Sequence, residues 1–205
     1  SFSYDAMGRM VRLTGPRGGI TTFEYDTLGN RVRETDPLGN THSYSYGCCG
    51  LLLSRDGTTY EYDGNNRLIK VAYPDGTTME NAYDASGNMV NMRDATGLST
   101  FEYDAANRLT GYTNPEGRQV KYVLDNVGNV ATLVYPGGQT VSYLYNGLNR
   151  ITQVTDWLGM STTYQYDSRG NLASKNNINS NSTLSATYDA INRLNDYTDK
   201  NFVGS

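Results

Sequence analysis

Little in this sequence belongs to the usual equipment of an enzyme or a metalloprotein. It has one histidine (His42), one tryptophan (Trp157) and two adjacent cysteines, Cys48 and Cys49. A single imidazole, with no nucleophile elbow around any serine, gives no support to a hydrolytic triad. A lone Cys-Cys pair has neither zinc spacing nor further ligands. No catalytic residue, metal or cofactor is therefore expected. No apolar run approaches the roughly 20 residues of a membrane-spanning helix, and the N-terminal SFSYDAMGR has neither a basic nor an apolar leader segment. The 17 basic residues stand singly among 21 acidic ones, giving a net charge of -4. They form no basic stripe for a phosphate backbone, so nucleic acid is not an expected partner. Only 37% of the residues are hydrophobic, which predicts a thin core for a chain of 205 residues.

Glycine and tyrosine are abundant instead, at 22 and 18 copies, as expected of many short strands joined by tight turns. FEYDTLGNR at 23–31 returns as FEYDAANRL at 101–109. With the Tyr of each Tyr-Asp phrase as position zero, copies fall at Tyr4, Tyr25, Tyr46, Tyr62, Tyr83, Tyr103, Leu124, Tyr145, Tyr166 and Tyr188. The spacing is near 21 residues except for 16 after Tyr46. A fixed period of this length marks a repeat architecture.

Position plus one is Asp in eight copies, Gly47 and Asn146 being the exceptions. Position plus four is Gly8, Gly29, Gly50, Asn66, Gly87, Asn107, Gly128, Asn149, Gly170 and Asn192. Only Gly and Asn occur there, the residues that enter the left-handed region most readily, so the column predicts a turn with positive φ. The Asp carboxylate is expected to accept from backbone N–H groups ahead of it. A second turn lies 12 to 14 residues after each Tyr, as in PRG (16–18), PLG (37–39), PDG (74–76) and PEG (115–117). Two turns per repeat leave two strands of six or seven residues, so each repeat is one β-hairpin. Aromatics at minus two and zero, such as Phe23 and Tyr25, flank a mostly polar residue such as Glu24. Rings then share one sheet face and form ladders. The expected fold is all-β: about ten tandem hairpins in an antiparallel sheet that twist curls into a spiral, an open barrel or shell segment.

Tyr-Asp-x-x-Gly-Arg or -Asn followed by Pro-x-Gly at this period resembles the YD repeats of the Rhs and wall-associated protein families, the C components of Tc toxins and teneurins. The resemblance covers essentially residues 1–205. It implies a secreted or cell-surface strip that spirals into a hollow shell, in several members around a toxin polypeptide. The chain is read as one array excerpted from a longer protein, with no counterpart of the autoproteolytic core segment of those families.

Individual sites are few. The copy YGCCGL places Cys48 and Cys49 at the middle of a turn, as free thiols, a vicinal disulfide or a cross-link between chains. The same copy closes its far turn with Asp56-Gly57, a two-residue hairpin signal. KNNINSNSTLS (175–185) replaces one Pro-x-Gly turn and reads as a loop, with a glycosylation sequon at 181–183. Tyr73, Tyr112, Tyr135 and Trp157 lie outside the ladder columns and are candidate carbohydrate contacts. Edges near Met10 to Leu13 and Arg193 to Tyr197 are expected to lack partners, which predicts end-to-end self-association. The leading reading is a non-catalytic structural wall; carbohydrate binding is the alternative.

Overall fold

The computed structural model describes residues 1–178 and 182–201. They form two units, Ser1–Leu98 and Ser99 onward. In the first unit the strands are β1 (Phe2–Tyr4), β2 (Met10–Thr14), β3 (Ile20–Tyr25), β4 (Arg31–Thr35), β5 (Thr41–Tyr46), β6 (Leu52–Arg55), β7 (Thr58–Tyr62), β8 (Leu68–Ala72), β9 (Thr78–Tyr83) and β10 (Met89–Asp94). Each pairs antiparallel with the next. The second unit holds β11 (Gly97–Tyr103), which begins at the boundary, then β12 (Leu109–Thr113), β13 (Gln119–Leu124), β14 (Val130–Val134), β15 (Thr140–Tyr145), β16 (Ile151–Thr155), β17 (Ser161–Tyr166), β18 (Leu172–Asn177), β19 (Ser182–Tyr188) and β20 (Leu194–Asn201). These also pair antiparallel in succession. The fold is all-β, a run of ten hairpins, one per Tyr-Asp phrase.

Alternation along the strands decides which side is covered. In β3, Thr21, Phe23 and Tyr25 are buried or half-buried, while Ile20, Thr22 and Glu24 are exposed. In β15, Val141, Tyr143 and Tyr145 are covered, and Thr140, Ser142 and Leu144 are not. Burial is shallow even on the ring side: among the described residues the buried hydrophobic ones are Phe23, Val71, Val141 and Ala186. Stability in such a sheet rests on cross-strand pairs and turn hydrogen bonds rather than on an enclosed core.

Each near turn uses its Gly or Asn as a left-handed residue. Across the ten copies φ at position plus four runs from 57° at Asn149 to 100° at Gly128. In the first copy Gly8 N–H donates to the Asp5 carbonyl at 3.0 Å and Asp5 N–H to the Arg9 carbonyl at 2.9 Å, the pattern of a three-residue hairpin loop. A further irregularity was not expected. The register slips one residue beyond the turn, with Glu24 opposite Arg33 and Tyr25 opposite Arg31, so Val32 is left over as a bulge. The same slip recurs in the other hairpins, as at Glu61/Tyr62 and Leu144/Tyr145.

Two expectations need correction. Met10–Leu13 is not an edge, because β2 pairs with β3 and also with β1. The short strand β1 takes the other side of β2, and Ser1 N donates to the Thr14 carbonyl at 2.8 Å. Residues 175–185 are not one loop either. β18 runs to Asn177 and β19 starts at Ser182, with Lys175 opposite Leu184 and Asn176 opposite Thr183. Polar side chains suit these exposed strands, and the Thr183 hydroxyl donates to Asn176 Oδ1 at 3.2 Å. Asn181 of the sequon lies outside the described residues.

Candidate functional site

The most elaborate polar arrangement in the chain is the near turn itself. Asp5 Oδ1 accepts from Met7 N–H and Arg9 N–H, both at 2.9 Å, and Asp5 Oδ2 accepts from Arg9 Nε at 2.7 Å. Asp63 with Arg67, Asp104 with Arg108 and Asp189 with Arg193 repeat the clip. Where position plus five is Asn, its amide takes the Arg place, as Asn30 Nδ2 does on Asp26 Oδ2 at 2.9 Å. Hydrogen bonds to the charged form hold these carboxyls below their ordinary value. For Asp5 the backbone bond from Arg9 is the main cause, and for Asp26 the side-chain bond from Asn30. Some far turns use the same clip, with Asp36 Oδ1 accepting from Leu38 and Asn40 N–H at 2.8 Å.

Several of these turns also reach the next repeat. The Arg9 guanidinium lies 4.8 Å from the centroid of the Tyr25 ring and donates from Nη1 to the Asp26 carbonyl at 3.0 Å. Arg67 stands 4.7 Å from the Tyr83 ring, and Arg150 4.6 Å from Tyr166, within cation–π range. In return the tyrosine hydroxyls donate backwards: Tyr25 to the Met10 carbonyl, Tyr83 to Leu68, Tyr145 to Val130 and Tyr166 to Ile151, all at 2.8 to 2.9 Å. These carbonyls sit at position plus six, beside the bulge, where the ladder is disrupted. The ladder tyrosines therefore serve as hydrogen-bonding staples between repeats as well as packing groups. Ring stacking alone does not account for the column.

Arg150 is the exception that explains the rule. Its turn begins with Asn146, whose Oδ1 accepts from Leu148 N–H and Arg150 N–H. The other side-chain atom is then an amide nitrogen, a donor where the other copies have a carboxylate oxygen. Arg150 Nε is buried and has no acceptor.

Cys48 and Cys49 occupy a one-turn 3₁₀ segment, Cys48–Gly50, with Cys49 at φ 63° and Gly50 at φ 75°. Both are free, exposed thiols. His42 has a partner that the sequence reading missed, since its Nδ1 lies 2.7 Å from Asp56 Oδ2. Asp56 Oδ1 also accepts from Ser43 N–H at 2.8 Å. The two-residue turn does this: Asp56 and Gly57 have φ of 49° and 85°, and Arg55 pairs with Thr58. His42 and the cysteines stand at opposite ends of β5, too far apart for a thiol–imidazole pair. Among the described residues no group of three His, Cys, Asp or Glu stands close enough to hold a metal ion.

The four candidate carbohydrate contacts separate. Tyr73 is a half-exposed ring beside a far turn of the first unit. Tyr112 is not a free outward ring, because it lies opposite Phe101 with ring centroids 5.3 Å apart. Tyr135 and Trp157 come together, edge to face, at 5.9 Å. They belong to successive far turns and, with Arg118, Pro136 and Gln139, line an open cleft of about 530 Å³.

The RHS Repeat family profile matches residues 4–41, 50–78, 83–119 and 125–159, more than half the chain. The chain belongs to the RHS repeat family. Solved structures agree on the fold of these RHS repeats. TcdB2-TccC3-TEV aligns with a TM-score of 0.71 and 16% identity, over 94% of this chain and 12% of that one. TcdB2-TccC3 gives a TM-score of 0.71 and 16% identity over 94% and 13%. A Tc holotoxin pore of Photorhabdus luminescens gives 0.55 and 17% over 98% and 14%. The chain thus spans about an eighth of the length of the solved proteins it matches. Among curated proteins none matches it. No helix of the described residues is long and apolar enough to cross a membrane.

Proposed function

We propose that this RHS segment is a non-catalytic length of extracellular β-sheet wall, part of a secreted or surface shell that encloses a polypeptide. One observation carries the reading. The most distinctive polar groups of the repeat are engaged in the sheet itself: the Asp carboxylate clips its own turn, and the Arg guanidinium and the Tyr hydroxyl join one hairpin to the next. Groups spent on such joints are not free to bind or activate a substrate. Incubation with ester, glycoside and peptide substrates is expected to give no turnover. Reproducible turnover that a single substitution such as His42→Ala abolishes would overturn the reading.

Within the described residues β1 and β20 each pair on one side only, and open edges template further pairing. The segment is accordingly proposed to associate end to end. Light scattering over a concentration series, with and without reductant, tests this: a monomer at every concentration sinks it, and assembly lost only on reduction assigns the contact to Cys48 and Cys49.

The Tyr135–Trp157 cleft supports a second reading, as a carbohydrate contact. Trp157 is 56% and Tyr135 37% exposed, and Arg118 and Gln139 supply hydrogen-bond donors beside the rings, the mixture that ligand clefts use. Binding on a glycan array should disappear in Trp157→Ala, and an array without signal at high protein concentration removes this reading.

A further inference from the structure

Positions plus four and plus five form the outer corner of each near turn, and they follow a succession rule. The four Arg at plus five that have a further repeat after them in the sequence are each followed by Gly at plus four: Arg9 by Gly29, Arg67 by Gly87, Arg108 by Gly128 and Arg150 by Gly170. Every Asn at plus four follows a residue other than Arg: Leu51 precedes Asn66, Asn88 precedes Asn107, Asn129 precedes Asn149 and Asn171 precedes Asn192. Backbone conformation does not explain this, because Gly and Asn both adopt the positive φ of the column. Something outside the turn must choose between them.

The neighbouring corner makes the choice. A Cβ built on Gly170 would lie 2.6 Å from Arg150 Nη1, and one on Gly128 would lie 3.2 Å from Arg108 Nη1. At Gly87 and Gly29 the distances to the preceding Arg are 3.7 and 3.9 Å, close enough that the amide beyond an Asn Cβ would meet the guanidinium. Three of these guanidinium groups have little freedom to retreat: those of Arg9 and Arg67 are held by the carboxylate of their own turn and by the next ring, and that of Arg108 by its carboxylate. Arg150 lacks the carboxylate and rests on the Tyr166 ring alone, but it stands closest to its Gly. An Asn corner works differently. Asn129 Nδ2 donates to its own Asp125 and also to Asn149 Oδ1 at 3.1 Å, and Asn171 Nδ2 donates to Asp167 and to Asn192 Oδ1 at 3.1 Å. Asn30 is followed by Gly50, so an Asn corner tolerates Gly, whereas no Arg corner in the chain meets Asn.

We propose that this corner is a docking surface that selects the repeat seated against it. An Arg corner takes a Tyr-Asp-x-x-Gly hairpin and rejects Tyr-Asp-x-x-Asn; an Asn corner prefers the Asn form. The outermost described corner, Asn192–Arg193, is of the Arg kind. Arg193 keeps its clip to Asp189, yet its side chain is 74% exposed, against 27% for Arg9 and 29% for Arg67. The partner that this face fits is a hairpin of the same repeat with Tyr at position zero and Gly at plus four.

Thermal unfolding of matched variants tests the rule. Gly170→Asn should lower Tm by about 2–4 °C or more, and Gly170→Asn combined with Arg150→Asn should recover most of that loss. Gly8→Asn is the control, since nothing lies within 4 Å of a Cβ there, and it should move Tm by less than about 1 °C. The reverse exchange covers the case in which Gly170→Asn does not fold: Asn129→Arg should destabilise, and Asn129→Arg with Asn149→Gly should restore the melt. A Gly170→Asn protein that melts like the parent, or double variants no better than their destabilised singles, overturns the proposal.

Discussion

The hydroxyl of Tyr83 donates to the carbonyl of Leu68 at 2.9 Å, fifteen residues back and one repeat away. The bond closes the bulge of one hairpin with the ring of the next. Tyr83→Phe should cost about 0.5–1.5 kcal/mol, read as a lower Tm. Tyr60→Phe is the control. Tyr60 stands at minus two, its hydroxyl makes no hydrogen bond among the described residues, and its loss should change little. Equal losses in the two variants would remove the hydroxyl from the account.

Asn146→Asp is expected to stabilise the protein. It gives Arg150 Nε, now without an acceptor, the carboxylate that Arg9, Arg67 and Arg108 already have. A half-exposed pair of this kind contributes about 0.2–1 kcal/mol. A melt unchanged or lowered would mean that the orphaned nitrogen costs nothing.

The left-handed column should resist β-branched residues whatever surrounds them. Asn107→Val and Gly128→Val are each expected to cost about 1–2 kcal/mol or more, measured by chemical denaturation. Melting and denaturation midpoints unchanged in both would show that the turn is wrongly drawn.

Acid should loosen the repeats through their turns. Asp5, Asp26, Asp63, Asp84, Asp104, Asp125, Asp167 and Asp189 all have carboxyl values depressed below the ordinary 3.8 by bonds to the ionised form. The folded state therefore binds these protons less readily than the unfolded state. The stability they add is complete above the unfolded value and is lost as pH falls through the lower folded values. Tm should stay level from neutral pH to about 5 and fall below about 4, with a shallower fall in Asp63→Asn. A Tm flat down to pH 2 would contradict the clips.

Cys48 and Cys49, both free and exposed, should take up two equivalents of a maleimide in the native protein without prior reduction. Labelling that appears only after reduction would indicate a vicinal bond.

The hairpins themselves were legible in the sequence because their determinants are local: an Asp, a Gly or Asn three residues later, and rings spaced by two. What escaped lies between repeats. Nothing near Leu68 in the chain announces that Tyr83 will bond its carbonyl, and nothing near His42 announces Asp56 fourteen residues on. The alternation of Arg and Asn at plus five was in plain view, yet it has meaning only once Arg150 is seen lying over Gly170. The misplaced edge at Met10–Leu13 has a similar cause. Phe2–Tyr4 is too short to read as a strand alone, and it becomes one because β2 offers it a partner. The loop expected at 175–185 failed because Asn and Ser were read as turn formers, where an exposed strand pair tolerates them as well.

Among the described residues, strands with substantial mutual contacts are neighbours in the chain, so no described hairpin waits for a distant segment in order to find its place. Low sequence separation between contacting residues speeds folding, and repeats of this kind can add one at a time. A sheet built this way can be laid down from its N-terminal side while the rest of the polypeptide is still on the ribosome. Where the emerging hairpin carries the ladder tyrosine, as at Tyr25, Tyr83, Tyr145 and Tyr166, its hydroxyl closes the bulge before it, so the newer repeat finishes the one already folded.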